Sequence, residues 1–183
     1  MNSSEKILST FSQMYFYKEF VQENLCFIPK GRTEHELADL LLNLGDLIIA
    51  VQLKERNESE QTKDQEVELK WFNKKCKDAK KQIKVTIELI KKETLLEFKN
   101  IRGKSVAVNP NAQIIPLVIF MNNEIKHYPH VLEKHSEKGI NVNCISFLDF
   151  QTMCRVLVTP IEIVSYLKYR KSFYEENRKV DML

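Results

Sequence analysis

Between Leu40 and Val51 the chain carries two apolar runs, Leu40 to Leu44 and Leu47 to Val51, separated only by Gly45 and Asp46. Two strand-sized runs joined by two residues, with glycine in the first central position, predict a tight β-hairpin. A two-residue turn also fixes register. Once Leu44 faces Leu47, every further pair follows: Leu42 with Ile49, Leu40 with Val51, and Asp39 with Gln52. Slipping by one residue would send Asp39 to the opposite face, so the turn decides which polar side chains meet.

The flanking sequence supplies layers to cover such a hairpin. From about 4 to 24, Ile7, Leu8, Phe11, Met14, Tyr15, Phe20 and Val21 recur at spacings of three and four, which predicts a first amphipathic helix. Leu25 to Ile28, closed by Pro29, Lys30 and Gly31, reads as a brief strand and a loop. From about 64 to 98, Val67, Trp71, Phe72, Ala79, Ile83, Ile87, Ile90 and Leu95 sustain a helical period, broken only near Gly103. One long second helix is expected there. Ile114 to Met121 reads as a buried strand in which Pro116 favours an edge or bulge, and Val142 to Phe147 as another strand. Asp149 is placed as the cap of a short helix to about 157, and Thr159-Pro160 as N-cap and first residue of a last helix. Trp71, Phe72, Tyr166, Tyr169 and Tyr174 lie at helical spacing and are assigned to the core. The order of elements implies an α/β fold with a mixed sheet packed by helices, and 183 residues suit one domain.

Several function classes lack their signatures. The longest apolar runs fall well short of the roughly 20 residues a membrane span requires, and no basic segment with a small-residue cleavage site opens the chain. A cytoplasmic location is expected. Cys26, Cys76, Cys144 and Cys154 form no close pairs of the structural-zinc type and are read as reduced thiols. Four glycines, none in a phosphate-cradling loop, argue against an ATPase, and no nucleophile elbow is present. His127, His130 and His135 have spacings that match no dedicated zinc site, and His35 alone suggests no catalyst.

The formal net charge of +3 is too small to name a partner, but its distribution is uneven. Residues 54 to 68 are predominantly acidic and read as a solvated loop. From Lys70 to Lys84 there are seven lysines and one acid, Asp78. Such a helix carries a dense positive field able to neutralise phosphates without reading sequence. Without other evidence the plainer reading is a solvated helix face.

On the predicted hairpin, Asp39 opposes Gln52, and Lys54 points to the same side two residues on. A carboxylate, an amide oxygen and an ammonium therefore meet. Asp46, six residues from Gln52 along one strand, is roughly 20 Å away and cannot share an ion with it. The Asp39 carboxylate, the Gln52 side-chain oxygen and the Leu53 carbonyl offer the oxygen donors that magnesium or manganese prefers. Lys54 could orient a nucleophile and balance developing negative charge. This combination points to phosphodiester hydrolysis. The rival assignment leaves Asp39 and Lys54 as polar strand ends in salt bridges.

The stretch from Glu36 to Lys54, with Asp39 on one strand and Gln52-Leu53-Lys54 on the next, resembles the PD-(D/E)XK, or restriction-endonuclease-like, nuclease core. With the lysine-rich helix and the segment from Leu157 to Arg170, it looks like a poorly characterised bacterial branch of that superfamily. The resemblance implies a core of helix, three strands, helix and strand, a Mg- or Mn-dependent nuclease acting on DNA more readily than RNA, and a role in defence or on a mobile element. It departs at Ala38, where proline is usual, and at Gln52, where an acid is usual. The resemblance also implies a glutamate from the first helix in the metal shell, with Glu19 the best match and Glu23 and Glu36 its rivals. It places Gln82 near the substrate backbone, beside Lys74, Lys77 and Lys81 as contacts to nucleic acid. The alternative is a catalytically silent module of the same fold that binds nucleic acid or a protein partner, and a third reading is a purely structural subunit. The last helix has no stop signal before Leu183, which leaves room for a homodimer contact or a longer parent protein.

Overall fold

The computed structural model describes residues 3–27, 35–92, 96–125, 131–132 and 142–177. The Pro29–Gly31 loop, Leu95, the three clustered histidines and the end of the last helix lie outside the described residues, as do the side chains of Cys26, His35, Glu36 and Tyr174.

Helix α1 (Ser3–Phe20) leads into strands β1 (Val21–Phe27), β2 (His35–Asn43) and β3 (Leu47–Glu55). A short 3-10 turn (Glu58–Glu60) precedes α2 (Gln65–Lys92), after which come β4 (Leu96–Lys99), β5 (Ser105–Val108) and β6 (Gln113–Met121). The described residues end with β7 (Val131–Leu132), β8 (Val142–Ser146), α3 (Phe147–Val156) and α4 (Pro160–Asn177). Six strands form one mixed sheet in the order β1-β2-β3-β6-β8-β7, and β4 pairs with β5 in a separate hairpin. β1, β2 and β3 run antiparallel in turn, whereas β3, β6 and β8 are mutually parallel. A parallel return needs a crossover, and α2 supplies it between β3 and β6.

The hairpin forms in the expected register, from Leu40↔Val51 to Asn43↔Ile48. Leu44 donates its N–H to the Leu47 carbonyl at 2.8 Å. Gly45 has φ of +85°, a conformation that costs a residue with a β-carbon. Asn43 Oδ1 accepts the Gly45 N–H at 3.1 Å and closes the turn from within. β3 lies at the centre of the sheet and is buried on both faces, which explains its continuous apolar run. Leu40, Leu42, Ile49 and Val51 face α1, α3 and α4, packing with Leu8, Phe150 and Ile163. Leu41, Ile48 and Ala50 face the other layer with Ile90 of α2, and Phe72, Ala79 and Ile83 of α2 cover Val118 and Phe120 of β6.

Tertiary packing changes four expected elements. The first helix stops at Phe20, with a break at Tyr17 (φ 59°), and Val21 begins β1 instead of extending the apolar stripe. The second helix stops at Lys92, and a hairpin turning at Gly103 (φ +74°) replaces its predicted last turn. Ser146, not Asp149, caps α3: its hydroxyl accepts the Asp149 N–H at 3.0 Å. Tyr166 and Tyr169 stand 38% and 60% exposed on α4, so neither is in the core. Pro116 is tolerated because, among the described residues, pairing with β8 starts only at Leu117. Thr159 caps α4 as expected and exchanges hydrogen bonds with Glu162, whose carboxyl those bonds hold below the usual carboxylate range.

The acidic segment is also more than a solvated loop. Glu68 is fully buried, pairs with Arg56 at 2.9 Å, and accepts hydrogen bonds from the Thr62 N–H at 2.9 Å and Asn122 Nδ2 at 2.6 Å. Arg56 stacks over Trp71 with its guanidinium 5.5 Å from the ring centre. This network ties the end of β3 to the start of α2. Among the described residues, no helix is long and apolar enough to cross a membrane. Cys76, Cys144 and Cys154 are buried free thiols, and burial raises Cys76 and Cys154 to about 12. Removing one partner of a buried ion pair strands the other. Glu68→Ala should therefore lower the unfolding free energy by about 3 to 5 kcal/mol in urea titration; a loss below about 1 kcal/mol would contradict the network's role.

Candidate functional site

Asp39, Gln52 and Lys54 lie where the β2–β3 ladder gives out. Its last regular pair is Leu40↔Val51. Because Leu44 bonds Leu47, alternate pairs down the hairpin exchange hydrogen bonds, and a continued ladder would give the Leu53 N–H to the Ala38 carbonyl. Asp39 Oδ2 accepts it instead, at 2.5 Å. A side-chain carboxylate thus replaces a backbone acceptor. The N–H and C=O of one strand residue point to the same neighbouring strand, so the Leu53 carbonyl also opens toward β2.

Strand alternation gives Asp39 the parity of Leu41, and Gln52 and Lys54 the parity of Ala50, all on the α2 side of the sheet. Lys54 Nζ donates to Gln52 Oε1 at 3.3 Å. Gln52 is 2% exposed, while Asp39 and Lys54 are intermediate. An amide oxygen has two lone pairs, so Gln52 can hold Lys54 and still face an ion. The donors here are all hard oxygens, which fits magnesium or manganese, but Asp39 brings their only formal negative charge. Among the described residues, no three His, Cys, Asp or Glu side chains gather as a metal group.

The first-helix glutamate does not join them. Glu19 precedes Val21, which pairs with Leu42 at the turn end of the sheet. Val21 itself is three residue steps, roughly 10 Å, from the position opposite Asp39, and Glu19 lies beyond it in α1. Its carboxylate instead pairs with Arg102 at 2.8 Å, in the turn between β4 and β5. Glu23 takes the Ser9 hydroxyl and shares the parity of Leu40, so it faces α1. The side chain of Glu36 lies outside the described residues.

Helix α2 sorts its lysines by angle. The residues Phe72, Cys76, Ala79, Ile83 and Ile90 form the buried stripe, and Lys74, Lys77 and Lys81 recur on the exposed face opposite it. Gln82 is exposed as well. Lys74, Lys77 and Lys81 therefore look away from the sheet and from Asp39, whereas Gln82 stands on a flank of the buried stripe, across the helix from Lys80. Lys80 belongs to neither group: it is 7% exposed on the flank of the buried stripe, and desolvation lowers its pKa.

A second hollow begins where β3 ends. A cleft of about 1180 Å³ opens at the carboxyl ends of β3, β6 and β8, bordered by Glu55, Arg56, Met121, Ser146 and Arg170. Arg170 donates to the Cys144 carbonyl at 2.9 Å and lies 5.7 Å from the ring centre of Tyr166. Carboxyl ends of parallel strands are the usual place for ligands in such sheets.

No family model matches the chain, and searches of curated proteins and of solved structures find no match.

Sequence reasoning did not single out Gln22. It fell inside the predicted first helix, and only the alternation of Val21, Gln22, Glu23, Asn24 and Leu25 could have marked it as a strand residue with a face of its own. Gln22 pairs with Leu41 and is fully buried on the α2 side.

The bond from Leu53 gives Asp39 a structural duty that is separable from its charge. Asp39→Ala should cost about 1 to 3 kcal/mol in urea unfolding because the N–H loses its acceptor. Asp39→Asn retains a side-chain oxygen and should cost less than about half as much. Equal losses would contradict the bond.

Proposed function

We propose that the chain is a metal-dependent nuclease of the PD-(D/E)XK type, hydrolysing phosphodiester bonds of DNA at Asp39, Gln52 and Lys54. One observation carries this reading: an acid, an amide and a lysine occupy one sheet face at an opened strand pair, beside a backbone carbonyl turned into the same gap. The order of helix, three antiparallel strands, crossover helix and parallel strand agrees with what the resemblance implies.

In this reading Asp39, Gln52 and Leu53 hold a divalent ion through oxygen, and that ion when bound supplies Lewis-acid stabilisation of charge on the phosphate. Lys54, anchored on Gln52, orients the nucleophile and offsets charge that grows on the phosphoryl oxygens. The cleft beyond Glu55 and Arg56 gives a substrate strand a path along the carboxyl edge. Lys74, Lys77 and Lys81, on the far side of α2, add sequence-blind attraction to a phosphate backbone that bends around the helix.

Gln52 in place of an acid favours a second reading, a silent module that keeps the fold and binds nucleic acid or a protein. Cleavage separates the two. Linear, circular and single-stranded DNA and RNA, incubated with Mg²⁺ or Mn²⁺, should show metal-dependent cutting of DNA that falls at least about 100-fold in Lys54→Ala and in Asp39→Asn. Cutting by both variants at the wild-type rate would refute the site. Replacing Lys74, Lys77 and Lys81 together by Gln should flatten the dependence of log affinity on log salt by up to about 2.7 for duplex DNA. An unchanged slope would remove the stripe from the interface.

A further inference from the structure

Among the described residues, the buried amide of Gln22 has no hydrogen-bond partner at either its oxygen or its nitrogen, and the residue is 0% exposed. Native structures seldom leave a buried amide unsatisfied, so each such group requires an explanation. Its position supplies one. Gln22 stands opposite Leu41, and Asp39 lies two residues further along β2 on the same face. Diagonal neighbours of that kind have Cα atoms about 7 to 8 Å apart, within reach of a long side chain. The register sets Asn24, whose side chain lies outside the described residues, directly opposite Asp39, and Gln22 is the buried diagonal neighbour on the same face.

We propose that Gln22 is a further residue of the metal site, its side-chain oxygen binding the divalent ion, directly or through one water, and supplying an oxygen donor that the shell around Asp39 and Gln52 otherwise lacks. This rests on the nuclease reading above. Three adjacent strands then each give one side-chain oxygen: β1 through Gln22, β2 through Asp39 and β3 through Gln52. Magnesium and manganese take such neutral oxygens alongside a carboxylate. A purely structural Gln22 would gain nothing from its amide, because that amide has no partner among the described residues.

The test is Mn²⁺ binding to the full chain, followed by electron paramagnetic resonance, for wild type, Gln22→Met, Gln22→Glu and Asp39→Asn. Methionine matches the length of glutamine without its amide, so the thermal midpoint without metal should not fall. Its Mn²⁺ affinity should drop by about tenfold or more, the scale seen when a supporting ligand is lost. Gln22→Glu adds a second carboxylate and should tighten binding by a similar factor. Wild-type affinity in both Gln22 variants, with binding lost in Asp39→Asn, overturns the role of Gln22 and leaves the nuclease reading standing. Absence of saturable Mn²⁺ binding by wild type, or equal binding by Asp39→Asn, overturns both. Should Gln22→Glu fail to fold, Gln22→Met decides alone.

Discussion

The hydrogen bond from the Leu53 N–H to the Asp39 carboxylate sits where the β2–β3 ladder ends and the polar site begins. A backbone donor at that depth must be satisfied, and a continued ladder would have satisfied it with a carbonyl. Using a side chain lets the two strands separate without leaving the N–H unpaired. It also holds the Asp39 carboxylate beside Leu53, so the residue that would grip an ion is positioned by the same bond that closes the strand pair. Gln52 and Lys54 then follow from alternation along β3, and the parallel partner β6 keeps that strand rigid from Leu47 to Glu55.

Burial and charge pull the site in opposite directions. Gln52 is a neutral residue in a fully covered position, where an unpaired acid would face a large desolvation penalty without a cation. The amide therefore suits a covered position that carries no cation, and in the proposed metal site it would leave one negative ligand fewer. Lys54 meets Gln52 at 3.3 Å and finds there a polar anchor that costs no charge. An orphaned amide on β1 enlarges the same polar face in a layer that is otherwise apolar, where Leu41, Ile48 and Ala50 pack against Ile90.

Local rules carried the centre of the fold and lost authority at its edges. The Gly45-Asp46 turn set the β2–β3 register, because a two-residue loop leaves little freedom, and with it the common face of Asp39, Gln52 and Lys54. Helical periodicity found α1 and α2 but overran both, since Val21 and Leu96 begin strands whose apolar residues happen to continue the helical spacing. The same overrun hid Gln22 and brought Glu19 nearer to Asp39 than the sheet allows. Charge counting found the lysines of α2 but not their direction, which depends on which stripe of the helix meets the sheet. Arg56 and Glu68 read as solvated residues because nothing local shows that Trp71 and Asn122 enclose them.

Anomalous diffraction from crystals grown with Mn²⁺ tests the central claim most directly. The account predicts one strong peak about 2.0 to 2.4 Å from oxygens of Asp39 and Gln52, within the opened end of the β2–β3 pair. A saturated crystal with no peak there, or with its manganese bound only elsewhere on the chain, would contradict it.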